Sequence, residues 1–166
     1  MQSAYVLGQE LQLRQTPMQG EKGISMSGKA VRILLVEDDT IDVMAIQRAL
    51  QQLKIANPLI IARDGVEALE ILRGGPEKTP LPRPHLILLD LNLPRMNGIE
   101  FLETLRKDAA LQDAVVFVLT TSSADADRIA AYRQNIAGYM VKSDLSSDFL
   151  RVVTMLQHFW CVVEFP

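Results

Sequence analysis

Four apolar runs in this chain end on polar residues that can handle phosphate or metal. Val31-Arg32-Ile33-Leu34-Leu35-Val36 runs into Glu37-Asp38-Asp39, and Leu86-Ile87-Leu88-Leu89 runs into Asp90. Val115-Val116-Phe117-Val118-Leu119 runs into Thr120, and Tyr139-Met140-Val141 runs into Lys142. Clustered carboxylates repel one another and suit a hard divalent cation such as Mg2+. An aspartate among them can act as a nucleophile toward phosphorus. A threonine hydroxyl and a lysine ammonium can then hold the phosphoryl oxygens.

Such residues need a scaffold that brings them to one edge. Short continuous apolar runs between turn or helix patterns read as buried parallel strands, and Leu59-Ile60-Ile61-Ala62 adds another. Helical spacing runs from Thr40 to about Leu53, with Ile41, Met44, Ala45 and Leu53 apolar. Gly65 to Arg73 reads as a second helix, stopped by Gly74-Gly75-Pro76, and Gly98 to Lys107 as a third. Ser123 to Gln134 is the fourth, with Ser122 or Ser123 as its N-cap; Ser146 or Ser147 caps a fifth running to about Trp160. Strand and helix alternate five times, which predicts an α/β fold: a doubly wound, five-stranded parallel sheet flanked by five helices. In such a sheet the crevice outside the carboxyl ends of the strands is the ligand site, and all four polar endings reach it.

Composition narrows the function. Charged residues make up 22% and hydrophobic residues 48% of 166 residues, an ordinary soluble balance for one domain with tails. A net charge of −3 offers no broad basic field, so no nucleic-acid partner is expected. No apolar run has transmembrane length, so no membrane association is expected. The lone Cys161 precludes an internal disulfide and suits a reducing, cytoplasmic setting. Residues 1–28, rich in Gln, Gly and Ser, read as a flexible N-terminal extension, with a short helix conceivable between Tyr5 and Arg14. Gly23 to Lys29 imitates a phosphate-binding loop, but Ala30 stands where Ser or Thr should contact Mg2+, and the segment precedes a strand instead of following one.

The combination resembles the receiver domain of two-component response regulators, with its CheY-like, flavodoxin-like fold. Asp90-Leu91-Asn92-Leu93-Pro94-Arg95-Met96-Asn97-Gly98 matches the family pattern of Asp, Pro four residues on and Gly eight residues on. The resemblance covers roughly residues 30 to 160; the expected division is a receiver over 29–160 and an apolar C-terminal tail over 161–166. It implies that Asp90 accepts a phosphoryl group from a sensor histidine kinase. It implies Mg2+ held directly by Asp38, through water by Glu37, and by Asp90 and the backbone carbonyl of Asn92. Asp39 is a third acid, readable either as the metal residue one register on or as a charge at the start of the first helix.

Lys142 matches the lysine that pairs with the phosphoacceptor and then with its phosphoryl oxygen. The family usually has Pro next; here it is Ser143, and a cis Lys142–Ser143 bond would cost about 3 kcal/mol. Thr120 matches the switch hydroxyl, with Thr121 the neighbouring alternative, and Tyr139 the aromatic partner of the switch. Asn92 and Ser122 occupy positions that influence the lifetime of the acyl phosphate. Neither is a carboxylate able to orient a water strongly, so a moderate lifetime is expected. His85 and His158 lie away from the acidic edge and read as structural or exposed.

No output domain is visible after residue 160, so output is expected to pass through association. The last helix is apolar nearly all round, at Phe149, Leu150, Val152, Val153, Met155, Leu156, Phe159 and Trp160. One face must pack on the sheet. The remainder is either ordinary exposed apolar surface or a homodimer interface through the fourth helix, fifth strand and fifth helix, using Val152, Val153, Leu156 and Trp160. Arg63-Asp64-Gly65-Val66-Glu67-Ala68, Val141-Lys142-Ser143 and the closing Phe159-Trp160 resemble, more narrowly, single-domain receivers partnered with phytochrome-type histidine kinases. Two rival classes remain. A receiver-shaped adaptor independent of phosphorylation would be expected to have lost Asp90, Lys142 or the acidic pair, and all are present. A Mg2+-dependent phosphatase of the haloacid dehalogenase type needs an acid two residues after its nucleophile, where this chain has Asn92. The chain is therefore not expected to be an enzyme beyond self-directed phosphotransfer and slow autodephosphorylation.

Overall fold

The computed structural model describes residues 30–76, 78–142 and 147–166. Strands and helices alternate: β1 (Arg32–Val36), α1 (Thr40–Gln52), β2 (Leu59–Ala62), α2 (Gly65–Arg73), β3 (His85–Leu89), α3 (Gly98–Lys107), β4 (Val115–Thr120), α4 (Asp125–Tyr132), β5 (Gly138–Val141) and α5 (Ser147–Val162). The strands form one parallel sheet in the order β2-β1-β3-β4-β5. The expected five-stranded doubly wound architecture is thus the observed one.

Alternate strand residues feed two apolar layers, as the two-residue strand period requires. Leu34, Val36, Ile87, Leu89, Val116 and Val118 pack with Leu69, Leu72, Phe101, Leu102 and Ala131 beneath α2, α3 and α4. Ile33, Leu35, Leu86, Leu88, Phe117 and Leu119 pack with Val43, Ile46, Phe149, Val153 and Leu156 beneath α1 and α5. Every residue of β3 is buried, which is why that strand reads as continuously apolar. His85 opens it as a buried imidazole, away from the acidic edge; burial pushes it below its usual titration range and keeps it neutral.

Local capping fixes where the helices begin. Asp39 caps α1 by accepting from the Ile41 N–H at 2.7 Å, which places it at the start of the first helix. Asp64 caps α2 through the N–H groups of Val66 and Glu67. Asn97 and Glu100 form a capping box on α3. The expectation for α4 needs correction. Its N-cap is Ala124, with no side-chain cap bond, and neither Ser122 nor Ser123 holds that position. The Ser122 hydroxyl, two residues before the cap position, instead donates to Asp127 at 2.6 Å and accepts from the Ala124 N–H at 3.3 Å.

The pole opposite the acidic edge is tied by Arg106. Its guanidinium donates to the carbonyls of Gln112, Ala114, Gln134 and Asn135 at 2.7–3.0 Å, joining the α3–β4 and α4–β5 connections. The boundary expected at residue 160 falls inside α5, and Phe165 packs edge-on against Phe159 at 5.9 Å between ring centroids. Residues 1–28, Ser143 and Ser146 lie outside the described residues.

Candidate functional site

The strand register assembles the site. Val36 pairs with Leu89, so Glu37 and Asp90 leave β1 and β3 side by side, and the Asp90 N–H donates to the Val36 carbonyl at 3.0 Å. Thr120 pairs with Val141, and the Lys142 N–H donates to the Thr120 carbonyl at 2.8 Å. The four polar endings therefore meet along the carboxyl edge of the three strands β1, β3 and β4 and the edge strand β5.

Lys142 occupies the centre. Its Nζ donates to Glu37 Oε2 at 2.6 Å, Asp42 Oδ2 at 2.7 Å and Asp90 Oδ2 at 3.0 Å. The lysine and Glu37 side chains are each 2% exposed, against 8% for Asp90 and 10% for Asp42. Burial would by itself lower the Lys142 titration, but its hydrogen bonds to Asp42 and Glu37 outweigh it and hold the ammonium above its usual range. Burial likewise pushes Glu37 up to about 7, against the pull of Lys142. Three carboxylates thus share one cation in a place with little water.

Asp90 is held at both oxygens. Oδ1 accepts from the Asn92 N–H at 3.1 Å while Oδ2 faces Lys142. The Asn92 amide also donates to the Thr121 hydroxyl at 3.2 Å, linking the loop after β3 to the loop after β4. Gly98 explains the spacing of the Asp-Pro-Gly signature. A Cβ there would lie 2.6 Å from the Asp90 carbonyl oxygen and 2.7 Å from Leu91 Cα, so α3 can begin this close only with glycine.

Asp38 is exposed beside Glu37, and its carbonyl accepts from Arg63 at 3.1 Å. No three His, Cys, Asp or Glu side chains among the described residues converge as a ready metal cage. The donor chemistry nevertheless fits a hard cation: the acids outnumber the one ammonium, and every donor is oxygen. Mg2+ keeps several waters and needs few protein ligands.

Thr120 is fully buried, and its hydroxyl accepts from the Ser122 N–H at 3.3 Å. Tyr139 is half-buried against the α2–α4 layer, and its hydroxyl donates to the Ser122 carbonyl at 2.9 Å. Burial holds that phenol above its usual range. Thr120 and Tyr139 therefore both grip the same loop residue.

Asp42 was missed by sequence reasoning. It shares a helix stripe with Ile46, Ala49 and Leu50, all buried. An acid on the apolar stripe of α1 was the available signal. Two expected dimer residues need correction: Val153 and Leu156 are each 1% exposed and belong to the core beneath α5, so they offer no surface to a partner. Val152 and Trp160 are partly buried against the same layer.

The fold and site together define a doubly wound α/β module with an acid-and-lysine cluster at its carboxyl edge. The family model of the response regulator receiver domain matches residues 33–153, and the chain belongs to that family. Its function is that of a two-component response regulator. The chain is 41% identical over 128 residues to response regulator Rcp1 of Synechocystis sp. (strain ATCC 27184 / PCC 6803 / Kazusa), covering 77% of this chain and 87% of Rcp1. It is 36% identical over 131 residues to the probable methanogenesis regulatory protein FilR2 of Methanothrix harundinacea, covering 77% and 82%. Among solved structures, the Mn2+-bound form of Rcp1 superposes with a TM-score of 0.73 at 39% identity, covering 82% of this chain and 99% of that one. The phosphorylated cyanobacterial phytochrome response regulator RcpA superposes with a TM-score of 0.76 at 35% identity, covering 83% and 99%.

Proposed function

We propose that Asp90 accepts a phosphoryl group from a phosphohistidine of a sensor kinase and that the resulting acyl phosphate switches the protein's associations. The observation that carries this is the cluster itself: a buried aspartate with one oxygen fixed by a backbone N–H and the other by Lys142. An Asp90 oxygen attacks phosphorus, an O–P bond forms, the N–P bond breaks and imidazole leaves. Lys142 and Thr120 then bind phosphoryl oxygens. Mg2+ would be held by Asp38, Asp90, the Asn92 carbonyl and, through water, Glu37; it neutralises charge between the two anionic reactants. The Mn2+-bound relative supports a divalent cation here.

Thr120 and Tyr139 form the switch, and Asn92 and Ser122 tune the lifetime of the acyl phosphate. The hydrogen bonds of Thr120 and Tyr139 to Ser122 support a joint movement. The kinase is of the phytochrome type, a reading supported by similarity to RcpA. The protein works in the cytoplasm, without nucleic acid or membrane, and performs no catalysis beyond its own phosphotransfer and slow dephosphorylation. No helix among the described residues is long and apolar enough to cross a membrane. Output passes through a homodimer face on α4, β5 and α5.

Incubation with Mg2+ and acetyl phosphate, followed by intact mass measurement, tests the proposal. One phosphoryl adduct is expected in the parent, dependent on Mg2+ and missing in Asp90→Asn. An adduct that persists in the variant removes Asp90 from the role. No adduct under confirmed Mg2+ binding favours the phosphorylation-independent adaptor.

A further inference from the structure

Asp42 is the partner of Lys142 to which phosphotransfer gives no task. Its Oδ2 lies 2.7 Å from Nζ, between Glu37 at 2.6 Å and Asp90 at 3.0 Å. The other two partners change roles if Asp90 is phosphorylated with Mg2+ present: Asp90 becomes an acyl phosphate, and Glu37 is drawn to the cation. A lysine has three N–H donors on a flexible stem. With those two partners engaged elsewhere, Asp42 alone still fixes the ammonium.

We propose that Asp42 is a positioning residue that anchors the Lys142 ammonium throughout phosphotransfer, so that Lys142 meets the phosphoryl oxygen from a fixed place. This rests on the phosphotransfer role of Asp90. Without the Asp42 charge, Lys142 is drawn harder onto Asp90 Oδ2 and Glu37, masking the nucleophile and competing with the cation. A merely structural acid would behave differently. Glu37 and Asp90 remain to neutralise the ammonium after Asp42→Asn, so the fold keeps its melting temperature while the transfer slows.

The test compares the parent, Asp42→Asn, Asp42→Glu, Lys142→Met and the Asp42→Asn/Lys142→Met double variant, with rates of adduct formation from acetyl phosphate and Mg2+. Asp42→Asn should slow the reaction about tenfold without lowering the melting temperature, and in the Lys142→Met background its effect should shrink to less than about twofold. Asp42→Glu, which restores the charge, should recover part of the rate. A parent-like rate in Asp42→Asn, or the same slowing in both backgrounds, overturns the anchor. A second readout does not need phosphotransfer. The side-chain ammonium resonance of Lys142, followed by NMR in 15N-lysine-labelled protein with saturating Mg2+, should stay protected from exchange in the parent and lose protection in Asp42→Asn. Equal protection in the two proteins overturns the anchor. If the parent takes up no phosphoryl group while that resonance behaves as expected, the role of Asp90 fails and the anchoring contact stands.

Discussion

Burial at the end of β1 holds the Glu37 carboxyl well above the usual carboxylate range, against the pull of Lys142. Its carboxyl titrates near 7 in the fold against 4.5 in the unfolded chain. Between those values the folded state binds more protons than the unfolded state, so stability is full below about 4.5 and falls as pH rises toward 7. The metal-free parent should therefore melt at a higher temperature at pH 5 than at pH 8, and Glu37→Gln should flatten that difference. Equal slopes in the two proteins would remove Glu37 as the cause. Mg2+ favours the ionised acid, so titration calorimetry should find tighter Mg2+ binding at pH 8 than at pH 6. At this scale Glu37, Asp90, Thr120 and Lys142 were legible because each ends an apolar run. Asp42 was not, because an acid in the first turn of a helix ordinarily serves the helix dipole, and its partner lies 100 residues away.

Helix α3 starts against the backbone of Asp90 and Leu91, and its first residue has no room for a side chain. Gly98→Ala must push either α3 or the Asp90–Leu91 backbone aside, because the obstructing atoms are largely backbone. A loss of about 1–3 kcal/mol in urea-induced unfolding is expected, with slower adduct formation. Gly75→Ala serves as the control, since its Cβ would meet nothing within 4 Å. An unchanged unfolding midpoint for Gly98→Ala would show that the close approach relaxes freely. The strands and most helix bounds were legible from period and caps. The start of α4 was not: Ser122-Ser123-Ala124-Asp125 offers several capping side chains, and the Asp127 carboxylate captures the Ser122 hydroxyl.

Over the whole molecule, exposed apolar side chains recur on the three elements assigned to the dimer. Ile129 and Tyr132 on α4 are each 51% exposed, Val141 on β5 is 40% exposed and Met155 on α5 is 38% exposed. These replace Val153 and Leu156 as the residues available to a partner. The parent should elute with the mass of a dimer, and Ile129→Arg should elute as a monomer with an unchanged melting temperature; a parent that stays monomeric at high concentration refutes the homodimer. The parallel, doubly wound sheet and its site edge were legible because topology rules leave few arrangements for five alternating units. The inward face of α5 was not, because apolar residues occupy both faces and periodicity cannot choose between them. Arg106 carries a practical consequence at the far pole. Surface loops usually accept inserted residues cheaply, but the α3–β4 and α4–β5 connections are riveted to one guanidinium, and lengthening either would strip acceptors from it. A fluorescent reporter or affinity handle belongs instead on a side chain placed at position 75, where a Cβ would meet nothing within 4 Å.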